Sequence, residues 1–129
     1  MKGDLIFSGG LPYPPSVNHL WKHWSHGVYM TAEGKAYKNA VLVHLKKLYR
    51  GKPCLDEVAL EIAVSYPDRR RRDLDNLLKI TQDSLVFAGL LRDDRQIKDL
   101  RIYYAGQVQG GRLDISLYNW KLEEAGNEN

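Results

Sequence analysis

The segment Pro67-Asp68-Arg69-Arg70-Arg71-Arg72-Asp73-Leu74-Asp75-Asn76 sets four consecutive arginines directly against two aspartates one residue apart. Guanidinium groups bind phosphate oxygens, whereas carboxylates repel them. The two can serve one polyanion only if a positive charge comes between the carboxylates and the phosphate. Crowded carboxylates repel each other, and one takes up a proton unless a cation intervenes. An aspartate set with no cysteine and no obligatory histidine suits a hard ion such as Mg2+ or Mn2+. Such an ion can bind a phosphodiester oxygen and activate a water.

Spacing limits how these groups can meet. Asp73 and Asp75 point the same way on extended backbone but diverge inside a helix. They converge only if Asp73 ends an extended segment and Asp75 begins a helix. The leucines that follow Asp75 agree with a helix start there. Lys79 then sits one turn on, beside Asp75, and Asp83 continues that face. Lys79 could stabilise charge developing on a phosphate. Asp93 and Asp94 come just after the helix. A helix of about 14 residues spans roughly 21 Å, so Asp94 meets Asp73 only if the chain folds back.

Ordinary readings stand beside the chemical one. Two aspartates with this spacing can cap a helix or sit on the surface, and an arginine run beside aspartate can be a self-neutralising, solvated face. Leu77 and Leu78 occupy positions that exclude a Ca2+-binding EF-hand loop. Asp93-Asp94 can be a polar turn. His19, His23 and His26 have partly metal-like spacing but read as loop residues, and His44 reads as a core histidine. Trp21, Trp24 and Tyr29 could stack on bases, with packing or a subunit interface the commoner use.

The elements that must position these groups make one domain of 129 residues. With 43% hydrophobic and 27% charged residues the composition is that of a globular protein. No apolar run is long enough to cross a bilayer, and the first ten residues do not make a signal peptide. A lone Cys54 excludes an intrachain disulfide and a cysteine-built zinc site, which favours a reducing cytoplasm. The net charge of +3 is weak support for a nucleic-acid partner.

Leu5 to Phe7 reads as a short strand stopped by Gly9-Gly10, followed by a stiff proline loop and a further loop, WKHWSHGVYM. Thr31 is a helix N-cap, with Tyr37, Ala40, Val41, His44 and Leu48 on one face of a helix ended by Gly51-Lys52-Pro53. Glu57 to Tyr66 alternates as a strand. The second helix buries Leu74, Leu77, Leu78, Thr81 and Leu85, and Gly89 closes it. Leu100 to Val108 and Leu113 to Trp120 read as two strands joined in a hairpin at Gln109-Gly110-Gly111. The order β-α-β-α-β-β gives a small α+β domain, a mixed sheet packed with two main helices. Residues from about 121 to 129 read as a frayed tail.

PDRRRRDLDNLLK followed by AGLLRDD resembles the RusA family of Holliday junction resolvases. LPYPPSVNHLW, TAEGKAYKNAV and GGRLDISL are similar to flanking family segments, so the resemblance runs over roughly residues 6 to 119. It implies a homodimeric, Mg2+-dependent endonuclease that binds four-way DNA junctions and nicks two opposing strands symmetrically. By the same resemblance Asp73, Asp75 and Asp94 are the essential acidic residues and metal ligands, and Lys79 the essential lysine. Asp93 also matches but ranks below Asp94, and Arg72 falls on a basic position used in DNA handling. Arg69, Arg70, Arg71, Arg72 and Asn76 are the candidate DNA contacts. Three other functions are weighed against this one: a nuclease for flaps or forks, a DNA-binding module without catalysis, and a glycosyltransferase, for which the chain is short.

Overall fold

The computed structural model describes residues 1–122. The elements in order are β1 (Lys2–Pro12), α1 (Val17–Leu20), β2 (Trp21–Trp24), β3 (Gly27–Met30), α2 (Ala32–Leu48), β4 (Val58–Tyr66), α3 (Leu78–Phe87), β5 (Ile97–Gln107) and β6 (Arg112–Trp120). Short 3₁₀ turns at Leu74–Leu77 and Asp94–Gln96 precede α3 and β5. The fold is α+β with a mixed sheet, ordered β1-β6-β4-β5, and a separate β2–β3 hairpin.

β4 is central because its side chains are apolar enough to be covered: Val58, Ala59, Leu60, Ile62 and Val64 are all buried. Its neighbour β5 runs parallel to it. A parallel pair cannot be joined by a tight turn, and α3 supplies the crossover. The segment leaving β4 and the segment entering β5 therefore lie at opposite ends of the sheet. Gly34, Tyr37, Val41 and Leu45 of α2, and Ile80, Thr81, Ser84 and Leu85 of α3, are the buried helix positions. The core cluster joins Tyr37, Val41, Leu45, Ile80 and Leu85 to Phe7, Leu11, Leu60, Ile62, Leu113, Ile115 and Leu117 of the sheet.

Several expectations are corrected. β1 runs straight through Gly9-Gly10, which pair with Ile115 and Asp114 of β6. Gly9 is a close approach and no terminator: a Cβ there would lie 2.9 Å from the Phe7 ring and 3.1 Å from Leu48. WKHWSHGVYM is the β2–β3 hairpin, with Trp21 opposite Met30 and Trp24 opposite Gly27. The buried face of α2 is rotated from the expected one, so Ala40 and His44 are exposed and Leu45 is buried. β5 and β6 do not pair with each other. β4 lies between them, antiparallel to β6, and residues 108–111 cross over its end. Strand periodicity shows which face is buried and carries no information about which strand is next door.

The start of α2 ties the hairpin to the body of the domain. Thr31 Oγ1 accepts from Gly34 N–H at 3.0 Å and donates to the His19 carbonyl at 2.6 Å. A Cβ on Gly34 would stand 2.7 Å from Met30 Cγ and 2.9 Å from the Leu20 carbonyl oxygen, so only glycine lets α1 and β3 sit this close. Tyr37 Oη donates to the Pro12 carbonyl at 2.6 Å, and burial pushes its pKa up. Most of the expected tail falls on residues 123–129, outside the described residues. Lys121 is held by hydrogen bonds in both directions with Met1. No helix among the described residues is long and apolar enough to cross a membrane.

Candidate active site

Pro67 ends β4, and the next five residues fold back on one carboxylate. Asp68 Oδ1 accepts from the Arg70 backbone N–H at 2.9 Å, a local turn typical of aspartate. The same carboxylate takes both terminal nitrogens of Arg72, Nη1 at 2.6 Å and Nη2 at 3.0 Å. Arg72 Cζ lies 5.6 Å from the Tyr66 ring centroid and 6.0 Å from that of Tyr13. Both rings are within cation–π range. Tyr66 Oη closes the loop by donating to the Arg72 carbonyl at 3.1 Å. The Arg72 hydrogen bonds hold the Asp68 carboxyl far below the usual carboxylate range, with the Arg70 N–H adding to the effect. Burial raises the pKa of Tyr13 and Tyr66. Only Arg69, Arg70 and Arg71 are left as exposed guanidinium groups in the loop.

Asp73 follows in extended conformation, and the chain then winds into the 3₁₀ turn that carries Asp75 and Asn76. Neither aspartate caps a helix end: Asp73 makes no side-chain cap hydrogen bond, and α3 begins only at Leu78. Helical winding thus begins at Leu74 as a 3₁₀ turn that contains Asp75, and becomes α-helical at Leu78. The absence of a side-chain cap bond removes the simplest structural use for the two carboxylates. They open into neighbouring clefts that share Asn76. Asp73 lies in one of about 610 Å³ with Tyr13, His19 and Arg70 to Arg72. Asp75 lies in one of about 580 Å³ with Lys79, Trp21, Lys22 and His23.

Lys79 is where the spacing put it, one turn past Asp75 in the same cleft. Its Nζ is 3.8 Å from Asp83 and 4.7 Å from the Trp21 ring centroid. Asp94 is elsewhere. It precedes β5, whose first residue pairs with Val58 at the start of β4, whereas Asp73 follows the other end of β4. About 25 Å of strand separates the two ends. Asp94 shares a cleft of about 370 Å³ with Lys38, Asp83 and Asp93. Among the described residues of one chain, no three histidine, cysteine, aspartate or glutamate side chains come together as a metal-binding group. His19, His23 and His26 accordingly form no such group. The nearest carboxylate to His19 is Glu33, at 3.9 Å.

The loop carrying Asp94 is built by a residue that the sequence reading passed over. Gln96 Nε2 donates to the carbonyls of Cys54 at 2.7 Å and Asp56 at 2.8 Å. Its Oε1 accepts from the backbone N–H groups of Arg92 and Asp93. Asp93 caps the turn by accepting from Arg95 N–H at 2.8 Å and pairs with the Arg95 guanidinium at 2.9 Å, which pulls its carboxyl well below the usual range. Asp93 is thus engaged with Arg95 in its own loop, while Asp94 is exposed. The spacing Asp93-x-x-Gln96 is a readable capping-box signal.

The protein-family model described as endodeoxyribonuclease RusA matches residues 12–118, which include the arginine loop, both clefts and the Asp94 turn. The chain belongs to the RusA family. Its similar relatives are named crossover junction endodeoxyribonucleases. The protein of Escherichia coli K12 is 38% identical over 122 residues, covering 95% of this chain and 98% of the relative. That of Enterobacteria phage HK97 is 37% identical over 107 residues, covering 83% and 89%. That of Enterobacteria phage 82 is 38% identical over 118 residues, covering 92% and 94%. In this RusA-family chain the residues missed from sequence are those that shape the loops. Tyr13, Tyr66 and Asp68 form the Arg72 clamp, and Gln96 holds the Asp94 turn. The Pro67-Asp68 pair carried a turn signal, but nothing local marks the two tyrosines.

Proposed function

We propose that this chain is a structure-selective endodeoxyribonuclease that resolves four-way DNA junctions by paired, symmetric nicks, acting as a homodimer in the cytoplasm. The observation that carries the proposal is the pair Asp73 and Asp75, free of any capping role, beside a loop with three exposed arginines. A two-fold dimer would offer two equivalent sites for two opposed strands.

The carboxylates of Asp73 and Asp75 are hard oxygen donors that fit a hard divalent ion, Mg2+ or Mn2+, with His19 and His23 lining the same clefts. Asp73 and Asp75 of one protomer supply part of such a set. The crossover through α3 holds the same chain's Asp94 at the far end of the sheet, so Asp94 of the partner subunit would complete the set. When bound, the ion would supply Lewis-acid polarisation of the phosphate and a water of lowered pKa. Arg69, Arg70 and Arg71 hold flanking phosphates. Asn76, shared by the two clefts, contacts the backbone between them. Lys79 places an ammonium in the Asp75 cleft, where negative charge grows as the phosphodiester is attacked.

The test compares cleavage of a four-way junction, a flap and a linear duplex with Mg2+. The expected result is selective junction cleavage by the wild type, and lost cleavage with junction binding retained in Asp75→Asn. Normal cutting by Asp75→Asn would reject the assignment. Preferred cutting of flaps would move the protein to the alternative branched-DNA reading. A non-catalytic module is disfavoured because it needs the aspartates as helix caps, and they make no such bond.

A further inference from the structure

Alternation along the β2–β3 hairpin gives it two faces. Trp21, His23, Val28 and Met30 lie on one. Lys22, Trp24 and Tyr29 lie on the other, with Lys22 directly opposite Tyr29. The first face is accounted for. Trp21 and Met30 pack on the core, and Trp21, His23 and Val28 line the cleft that holds Asp75 and Lys79.

On the second face Lys22 reaches the rim of the same cleft, whereas Trp24 and Tyr29 have no such use within the chain. Trp24 is 64% exposed and Tyr29 40%, and neither belongs to the core. Their rings nevertheless stand together, centroids 5.3 Å apart and tilted by 47°. From Trp21 to Met30 there is no acidic residue, while Lys22, His23 and His26 supply donors or positive charge. Exposed aromatic faces beside a lysine, with no carboxylate among them, match the chemistry of a nucleobase and its phosphate.

The position of this face decides between a nucleic acid and a second protein surface. It is the reverse side of the strand pair that lines the Asp75–Lys79 cleft. A base seated on it is one sheet thickness from the groups proposed to cut. Linear duplex keeps its internal bases stacked. At a branch point stacking is interrupted, and presenting a base face costs least where pairing and stacking are already broken.

We propose that Trp24 and Tyr29 form a stacking site for a nucleobase at the branch point, with Lys22 on the adjoining phosphate. The hairpin thereby selects branched DNA and sets which phosphate enters the Asp75 cleft. This deepens the junction reading above and rests on it.

The experiment measures binding of a labelled four-way junction and of a linear duplex without divalent metal, for wild type, Trp24→Ala, Trp24→Phe and Tyr29→Ala. Oligomeric state is read for each by size-exclusion chromatography with light scattering. Loss of one base–aromatic stack predicts junction binding weaker by roughly tenfold or more for Trp24→Ala, with duplex binding unchanged. Trp24→Phe should restore most of the loss, since it keeps a stacking face. Equal losses on junction and duplex would overturn the proposal, as would unchanged junction binding. A change of oligomeric state in Trp24→Ala would overturn it in favour of an interface between copies of this chain. Wild-type junction cleavage with Mg2+ is scored in parallel. If it proceeds while Trp24→Ala binds junctions normally, the stacking site fails and the nuclease reading stands.

Discussion

Arg72 and Asp68 form a two-pronged ion pair that closes the loop leading to Asp73, with hydrogen bonds of 2.6 and 3.0 Å. The arginine run is therefore not uniform. Its last member, adjacent to Asp73, is spent within the protein, and only the first three face solvent. Asp68 answers why arginines and aspartates are packed so tightly here: one carboxylate organises the loop that presents the others.

Asp68→Asn keeps the side-chain size and loses the charge that Arg72 grips. Cleavage should fall on the order of 10- to 100-fold, because a displaced loop misplaces Asp73 relative to the scissile phosphate. The pH dependence follows from the depressed pKa of Asp68, caused first by Arg72. A folded-state pKa below the unfolded one gives stabilisation that is present above the ordinary carboxylate pKa of about 4 and is lost as pH falls through the lower folded value. The clamp should thus be intact from mildly acidic to alkaline pH. A wild-type pH–rate profile with a limb that disappears in Asp68→Asn would contradict this.

Lysine replacements separate a clamp from a phosphate contact. Arg72→Lys preserves the charge but cannot make the two-pronged pair with Asp68, and it replaces the planar guanidinium near Tyr13 and Tyr66 with a compact ammonium. It should lower cleavage while leaving the salt dependence of junction binding nearly unchanged. Arg71→Ala should instead weaken binding to all DNA forms and reduce the slope of log K against log salt by about one. Reversal of these two patterns, read from binding titrations over a salt series, would place Arg72 on the DNA and Arg71 off it.

What could be read in the sequence was what is encoded locally. The Thr31 cap, the alternation of β4 and the leucine-rich α3 each rest on neighbours within a few residues. The fold class followed from them, and so did the site motif. The misses depend on distant partners. β5 and β6 look like a hairpin until β4 is seen between them. Gly9-Gly10 looks like a stop until Phe7 and Leu48 fill the space. The β2–β3 hairpin has neither alternating polarity nor an Asn-Gly turn, so its signal was absent. Likewise, the distance between Asp73 and Asp94 depends on the hand-off through α3, which residue spacing does not reveal.

Gln96 should be a positioning residue for Asp94. Gln96→Ala removes partners from two carbonyls and two backbone N–H groups, for a stability loss of about 1–3 kcal/mol by thermal or urea unfolding. Gln96→Glu is more telling. It keeps the acceptor for Arg92 and Asp93 and loses the donor to Cys54 and Asp56, so the turn persists but detaches from the body. Cleavage by Gln96→Glu should drop more than junction binding does. Wild-type cleavage in both variants would remove Gln96 from the site.

The placement of Asp73 and Asp94 beyond opposite ends of β4 leads to a prediction about mixed dimers. Asp75→Asn and Asp94→Asn homodimers should each be inactive, since each lacks one carboxylate at both sites. In a heterodimer of the two, a site built from both chains takes Asp75 from one and Asp94 from the other. One of its two sites is then intact, and the other carries both lesions. Co-refolding the two inactive proteins should therefore restore nicking of a single strand in a supercoiled cruciform, without the paired cut that linearises it. If each site were built within one chain, every site in the mixture would carry a lesion and no nicking would return. The single-chain geometry favours the first outcome, because α3 stands between the two aspartates and is packed into the core along Ile80, Thr81, Ser84 and Leu85. Folding Asp94 back to Asp73 within one chain would require unpacking that helix, whereas a second chain can bring an exposed Asp94 to the loop with the core left as it is.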